Sequence, residues 1–161
     1  MRSRQICREL DAEDLATIWQ RDTYFVVSAG RLKLREQAPG GAQLIHYERA
    51  NDPHERESRY RIAPMSEPET VLSVLGASLG VLVTVTKRRH LYRWQSVRIH
   101  LDDVDQLGSF IELEAVAPAD SDLSYEHRLV AQLRGAFGLK DELLLANGYA
   151  DQLLARRGEN T

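Results

Sequence analysis

The sequence predicts an α+β fold, an antiparallel sheet flanked by helices. Two observations carry this. Between about Thr17 and Val116 most segments are rich in β-formers and alternate polar with apolar residues at a period of two, with Gly, Pro, Asn or Asp between them. Toward both ends of the chain the apolar spacing shifts to the three and four residues of a helix face. The chain has 161 residues, 43% hydrophobic and 28% charged, enough for one domain with a sizeable core.

Taken in order, residues 3–10 are a short helical segment with Ile6 and Leu10 four apart. TIWQRDTYFVV, from about Thr17 to Val27, reads as the first strand. Ser28-Ala29-Gly30 turns the chain into the hairpin partner GRLKLRE, and Pro39-Gly40-Gly41 breaks it before AQLIHYER. ANDPHE is a loop and RESRYRI a short fourth strand. Ser66 and Glu69 predict a capping box, with Pro68 tolerated in the first turn. The helix they start carries Val71, Leu72, Leu75 and Leu79 and stops at Gly80. VLVTVTKRRHLYRW, SVRIHLDDV and SFIELEAV are further strands, the last two joined through Gln106-Leu107-Gly108. A helix from Ser121 to Phe137 bears Leu129, Leu133 and Phe137 on one stripe. A last helical piece spans about Leu143 to Arg156, interrupted near Asn147-Gly148. These elements are expected to form one domain over residues 1–161.

The bulk numbers exclude several classes. A net charge of −3 gives no overall basic excess of the kind that marks a nucleic-acid binder. Cys7 stands alone, so no internal disulfide forms. No apolar run approaches the ~20 residues needed to span a bilayer, and the start lacks a secretion signal. The expectation is a cytoplasmic protein without nucleic-acid or membrane partners, its oligomeric state open.

The polar sides of the strands carry the functional signal. In GRLKLRE, Arg31, Lys33 and Arg35 stand at every second position. Tyr47 and Arg49 share a face, as do Arg56, Ser58 and Tyr60, and Val85, Lys87 and Arg89. Arg98, His100 and Asp102 alternate with Val97, Ile99 and Leu101, and Glu112 and Glu114 with Ile111, Leu113 and Ala115. A solvated sheet face accounts for any one of these strands. A closed barrel with the cations inside accounts for all of them, if an anion offsets the desolvation of Lys and Arg. A polyanion with divalent metal suits both sets. Arginine grips phosphate with two N–H groups, and carboxylates hold a hard cation that phosphate oxygens complete.

DTYF, GRLKLRE, LIHYER, TKRRHLY, VRIHLD and LGSFIELEAV, in this order and spacing, resemble the CYTH superfamily of triphosphate tunnel metalloenzymes, which includes class IV adenylyl cyclases and thiamine triphosphatases. The resemblance covers about Ala16 to Val116 and continues weakly to NGYADQLL at 147–154. It implies an antiparallel β-barrel forming a tunnel. It also implies triphosphate contacts from Lys33, Arg35, Arg49, Arg56, Lys87, Arg89 and Arg98, and metal contacts from Asp102, Glu112 and Glu114. The implied cofactor is Mg²⁺ or Mn²⁺. The implied ligand is ATP, thiamine triphosphate or tripolyphosphate. The activity is either cyclisation of ATP to cyclic AMP and pyrophosphate or hydrolysis of a triphosphate.

One departure stands out. The family's ExExK motif on its first strand is lacking, and MRSRQICRELDAEDLATIWQRDTYF resembles the end of the first family helix. The first strand is therefore expected to be absent, through a start codon placed too late or a shortened gene. That would leave exposed sheet edges and a catalytically impaired binder of nucleotide or polyphosphate as the alternative function. Among the remaining residues, Tyr24 and Tyr149 are expected to be core aromatics, Trp19 and Trp94 sheet packing, and His100 a hydrogen-bonding partner. Cys7 is not expected to act as a nucleophile. Arg88 should point away from Lys87 and Arg89.

Overall fold

A computed structural model describes residues 2–49, 58–118, 120–140 and 148–159. The elements run α1 (Arg2–Glu9), β1 (Glu13–Phe25), β2 (Arg31–Ala38), β3 (Gly41–Arg49), β4 (Ser58–Met65), α2 (Pro68–Leu79), β5 (Val81–Trp94), β6 (Val97–Val104), β7 (Gly108–Ala115), α3 (Ser124–Phe137) and α4 (Tyr149–Glu159). The strands form one seven-stranded antiparallel sheet in the order β4-β3-β2-β1-β5-β6-β7. The α+β class and the antiparallel order match the sequence expectation. The sheet is open, with β4 and β7 at its two edges, where the resemblance implied a closed barrel.

Two compact units divide the chain. One comprises residues 1–17, 89–103 and 109–144, the other residues 18–88, 104–108 and 145–161. The core of the first is Cys7, Tyr92, Val97, Ile99, Leu129, Leu133 and Phe137. The α3 stripe forms because Leu129, Leu133 and Phe137 recur every four residues and so share one face. Against it lie Val97 and Ile99, the apolar side of β6, and Trp94 packs at the margin. Leu133 is fully buried, so Leu133→Ala should cost about 2–5 kcal/mol. Alternation along β6 then sends His100 and Asp102 to the opposite side of the strand from this apolar core.

In the second unit, β1 to β4 pair as successive antiparallel neighbours. The β1–β2 hairpin turns through Gly30 at φ 64°, where a side chain would collide with the His46 ring and the Tyr47 carbonyl. Phe25 and Leu34 are buried on one face of this sheet, and Asp22, Tyr24 and Lys33 on the other. A sheet buried on both faces must pair the charges it encloses.

Several boundaries differ from expectation. β1 begins at Glu13, four residues early, and β4 extends to Met65. The capping box does not form. Glu67, not Ser66, sits at the N-cap of α2, without a side-chain cap bond, and accepts a hydrogen bond from Thr70. Pro68 at the first helical position explains the shift, because its fixed φ starts the helix one residue later. Trp19 is 41% exposed, its ring beside the Arg21 guanidinium, so it does not pack the sheet as expected. The expected helical piece from Leu143 lies partly outside the described residues, and α4 begins at Tyr149. Among the described residues no helix is long and apolar enough to cross a membrane.

Candidate functional site

Strand register assembles a charged cluster in the second unit. Asp22 lies opposite Arg35, and Tyr24 opposite Lys33, across the β1–β2 ladder. Directly opposed residues share a sheet face, so these four side chains meet. The Lys33 ammonium donates to Asp22 Oδ2 at 2.7 Å. Arg35 grips the same carboxylate with two bonds, Nε to Oδ1 and Nη2 to Oδ2, each 2.7 Å. Lys33 also stands 5.4 Å from the Tyr24 ring centre and 5.6 Å from that of Tyr47. On β5, alternation buries Lys87 and leaves Arg88 exposed, as expected. The Lys87 ammonium lies 5.0 Å from the ring centre of Tyr149 at the start of α4. Arg31 holds Asp151 through Nη2, at 2.7 and 2.9 Å from the two carboxylate oxygens.

The electrostatics follow from this crowding. Burial alone would push the Asp22 carboxyl up. Lys33 and Arg35 overcome it and hold the group well below the usual carboxylate range. Burial pushes the Lys33 ammonium down to about 8, against the pull of Asp22. Repulsion from Arg35 and Lys87 contributes to that value, after burial. Both partners of one ion pair thus titrate low, which opposed charges alone would not produce. The main cause at Lys33 is burial, and repulsion from Arg35 and Lys87 adds to it. Burial, then Asp22, raises the Tyr24 phenol well above its ordinary value, so it remains a neutral hydroxyl.

The first unit holds a cluster of opposite composition. Arg89 donates Nε to Asp102 Oδ1 at 2.7 Å, and Nη2 to Asp102 Oδ2 and Glu112 Oε2, both at 2.6 Å. Asp102 is fully buried at its side chain, whereas Glu112 and Glu114 are half-exposed. Arg98 reaches Glu114 at 3.3 Å. His100 lies buried among them, Nδ1 at 3.5 Å from Glu112 Oε2 and Nε2 at 3.7 Å from Glu114 Oε2. Neither separation is a good hydrogen bond.

Of the residues expected from sequence, Lys33, Arg35 and Lys87 gather around Asp22. Arg89, Asp102 and Glu112 form one ionic set and Arg98 and Glu114 a second pair, with His100 between them. Arg49 occupies the register position opposite Ser58 at the end of β3, and Arg56 lies outside the described residues. Sequence reasoning missed Asp22 as a site residue. Its signal was the alternation Gln20, Asp22, Tyr24 within a strand otherwise rich in β-formers. All three are buried, and a buried acid requires a partner. Cys7 is buried in the apolar core, where burial, then Asp14, raises its thiol to about 11. That is far from a reactive thiolate.

Comparison with known proteins places this architecture. The chain belongs to the CYTH domain family, whose model matches residues 2–149. CYTH domains in general bind triphosphate substrates and depend on metal. The PH1012 protein of Pyrococcus horikoshii is similar in structure, with TM-score 0.82 at 21% identity, over 93% of this chain and 91% of the other. A conserved hypothetical protein of Pyrococcus furiosus gives TM-score 0.80 at 18% identity, over 93% and 91%. A candidate adenylate cyclase of Vibrio parahaemolyticus gives TM-score 0.74 at 21% identity, over 94% and 90%. At such identities the likeness is one of fold. No curated protein matches the chain.

Proposed function

We propose that this CYTH domain acts on a nucleoside or organic triphosphate with Mg²⁺ or Mn²⁺, cyclising ATP with release of pyrophosphate or hydrolysing a triphosphate. The observation that carries the reading is the buried gathering of Lys33, Arg35 and Lys87 about Asp22, in which Lys33 is pushed down by burial and by its neighbouring cations. A phosphate chain relieves that repulsion and accepts hydrogen bonds from all three. Lys33, Arg35, Arg49, Arg56, Lys87, Arg89 and Arg98 are the proposed triphosphate contacts, and residues 1–161 the proposed single domain.

Asp102, Glu112 and Glu114 are the proposed metal contacts. Their carboxylate oxygens, with the Glu112 and Glu114 side chains half-exposed, suit a hard divalent cation. When bound, such an ion neutralises phosphate oxygens and offsets the charge that develops on the leaving group. The cations would hold and orient the phosphates, with the Lys33 ammonium positioned by Asp22 at 2.7 Å.

A second reading, binding without turnover, is favoured by two observations. Arg89 already occupies Asp102 and Glu112. Among the described residues no three His, Cys, Asp or Glu side chains stand together as a metal site. Calorimetry with tripolyphosphate, then product analysis with ATP and metal, separates the readings. Cyclic AMP marks a cyclase, orthophosphate a hydrolase, and tight binding with neither product the second reading. Arg35→Ala and Lys87→Ala should each weaken tripolyphosphate binding by roughly 1–3 kcal/mol. Unchanged affinity in both removes the triphosphate assignment.

A further inference from the structure

In the second unit, β4 exposes an apolar row beside the buried charged cluster. Tyr60 is 59% exposed and Ile62 55%, and Pro64, next on the same side of the strand, is exposed as well. Apolar residues scattered singly over a surface are ordinary, but a contiguous row marks a contact site. Register fixes the side of the sheet they occupy. Lys33 on β2 lies opposite Ile45 on β3, and Ile45 opposite Ile62 on β4. Arg31 lies opposite Tyr47, and Tyr47 opposite Tyr60. Directly opposed residues share a face, so Tyr60 and Ile62 stand on the face that carries Lys33 and Arg35. Tyr47 links the two regions. It is buried, its ring centre 5.6 Å from the Lys33 ammonium and 5.6 Å from the ring centre of Tyr60. The flanks of β2 therefore differ. On the β1 side Asp22 and Tyr24 are buried, whereas on the β4 side the face opens onto Tyr60 and Ile62. Adjacent strands lie about 4.8 Å apart, which sets this shelf about 10 Å across the sheet from β2.

We infer that Tyr60, with Ile62 beside it, seats an aromatic ring joined to the triphosphate, so that the site selects ring-bearing triphosphates over bare tripolyphosphate. The inference rests on the triphosphate reading above, because the cluster about Asp22 must first hold the phosphates. The division of labour follows from the chemistry of the two regions. Charge fixes the phosphate chain, which has no apolar surface to offer the shelf. An exposed tyrosine ring stacks a flat ring with little regard to its substituents, and Ile62 adds apolar contact at the margin. Tripolyphosphate makes the first set of contacts and leaves the shelf to water. A second copy of the chain is a poorer occupant. Arg61 is exposed on the reverse face of the same strand, and a cation on an edge strand opposes edge-to-edge pairing.

The test is calorimetry on the full chain with Mg²⁺, using tripolyphosphate as the bare probe and ATP and thiamine triphosphate as the ring-bearing probes. Tyr60→Ser should lower the affinity for at least one ring-bearing probe about tenfold and that for tripolyphosphate less than about twofold. Tyr60→Phe should keep both, since the stacking ring is retained. Ile62→Ser should give a loss of about threefold, again confined to the ring-bearing probe. If Tyr60→Ser does not fold, the wild type still decides. Magnetisation transfer between the Tyr60 ring protons and the ring protons of the bound probe supports the inference, and bound probe without it overturns the inference. Equal losses for all three probes, no loss for any, or binding of tripolyphosphate alone overturns the inference and leaves the triphosphate reading intact. So does a dimer in sedimentation that Tyr60→Ser dissolves, which would give the shelf to a second copy. Failure of all three probes to bind overturns both.

Discussion

The two charged clusters are built as inverses. In one, a carboxylate, Asp22, is held by Lys33 and Arg35. In the other, a guanidinium, Arg89, is held by Asp102 and Glu112. Each central group is buried and gripped in bidentate fashion, which fixes geometry as well as charge. The surrounding groups differ. Those about Asp22 are cations, one of them lowered in pKa by burial and then by its fellows. Those about Arg89 are carboxylates, Asp102 fully buried and Glu112 half-exposed. The lesson is that an internal counter-charge organises each set, and the sign of the outer groups decides what the cluster can take from solution. On the proposed reading the first would take an anion and the second a cation.

Removing the central charge is the strongest way to break this comparison. Asp22→Asn leaves Lys33 and Arg35 facing each other in a buried setting, and breaking such a pair costs about 3–5 kcal/mol. Urea denaturation should show that loss at neutral pH. It should also show a changed acid limb. The Asp22 carboxyl is depressed on folding, so its contribution is full above its ordinary pKa of 3.8 and is lost as pH falls below that value. The Asp22→Asn chain should lose less stability than the wild type over that interval. Equal slopes would mean that the carboxylate does not organise the cluster.

Arg89→Lys is the matching change in the inverse cluster and should cost about 1–3 kcal/mol. Charge is kept, but an ammonium cannot supply the fork that spans both Asp102 oxygens and Glu112. A cost within experimental error would show that charge alone suffices there.

The pH dependence of anion binding sharpens the comparison further. Below about 8 Lys33 carries its proton, and above it the cation is lost. Tripolyphosphate affinity should therefore fall as pH rises through 8, with a smaller fall in Lys33→Met. Stability has the opposite sense. The unfolded chain keeps the Lys33 proton up to its ordinary 10.5, so between about 8 and 10.5 it binds more protons than the folded chain. Over that interval the Lys33 contribution to stability rises with pH. Calorimetric titrations at pH 7 and 9, with and without the substitution, check both signs.

These sites were partly legible in the sequence, for reasons that differ by residue. Alternation placed Lys33 with Arg35 and Lys87 with Arg89 because a strand has an integral period, and one polar position fixes the rest. The same rule put Arg88 outside and Val97 and Ile99 in the core. What alternation could not supply is pairing across strands. That Arg35 meets Asp22, and Arg89 meets both Asp102 and Glu112, depends on register, which hairpin lengths set only approximately from sequence. The openness of the sheet was likewise not readable from the strands, since closure depends on which edges meet. The capping box failed because Ser66-x-x-Glu69 satisfies a spacing rule, while Pro68 had already determined where the helix could begin.

The smallest expected effect tests the outer edge of the acidic cluster. Arg98 and Glu114 are each about half-exposed and 3.3 Å apart. Solvent screens such a pair, and exposed ion pairs contribute about 0–1 kcal/mol. Arg98→Ala should therefore change unfolding free energy by about 0.5 kcal/mol or less. Its effect on binding should be larger if Arg98 contacts phosphate, since an anion would draw the guanidinium from Glu114 and free that carboxylate. A tripolyphosphate affinity loss of about tenfold, with stability unmoved, would assign Arg98 to the ligand. Parallel small losses in both would assign it to the rim of the sheet.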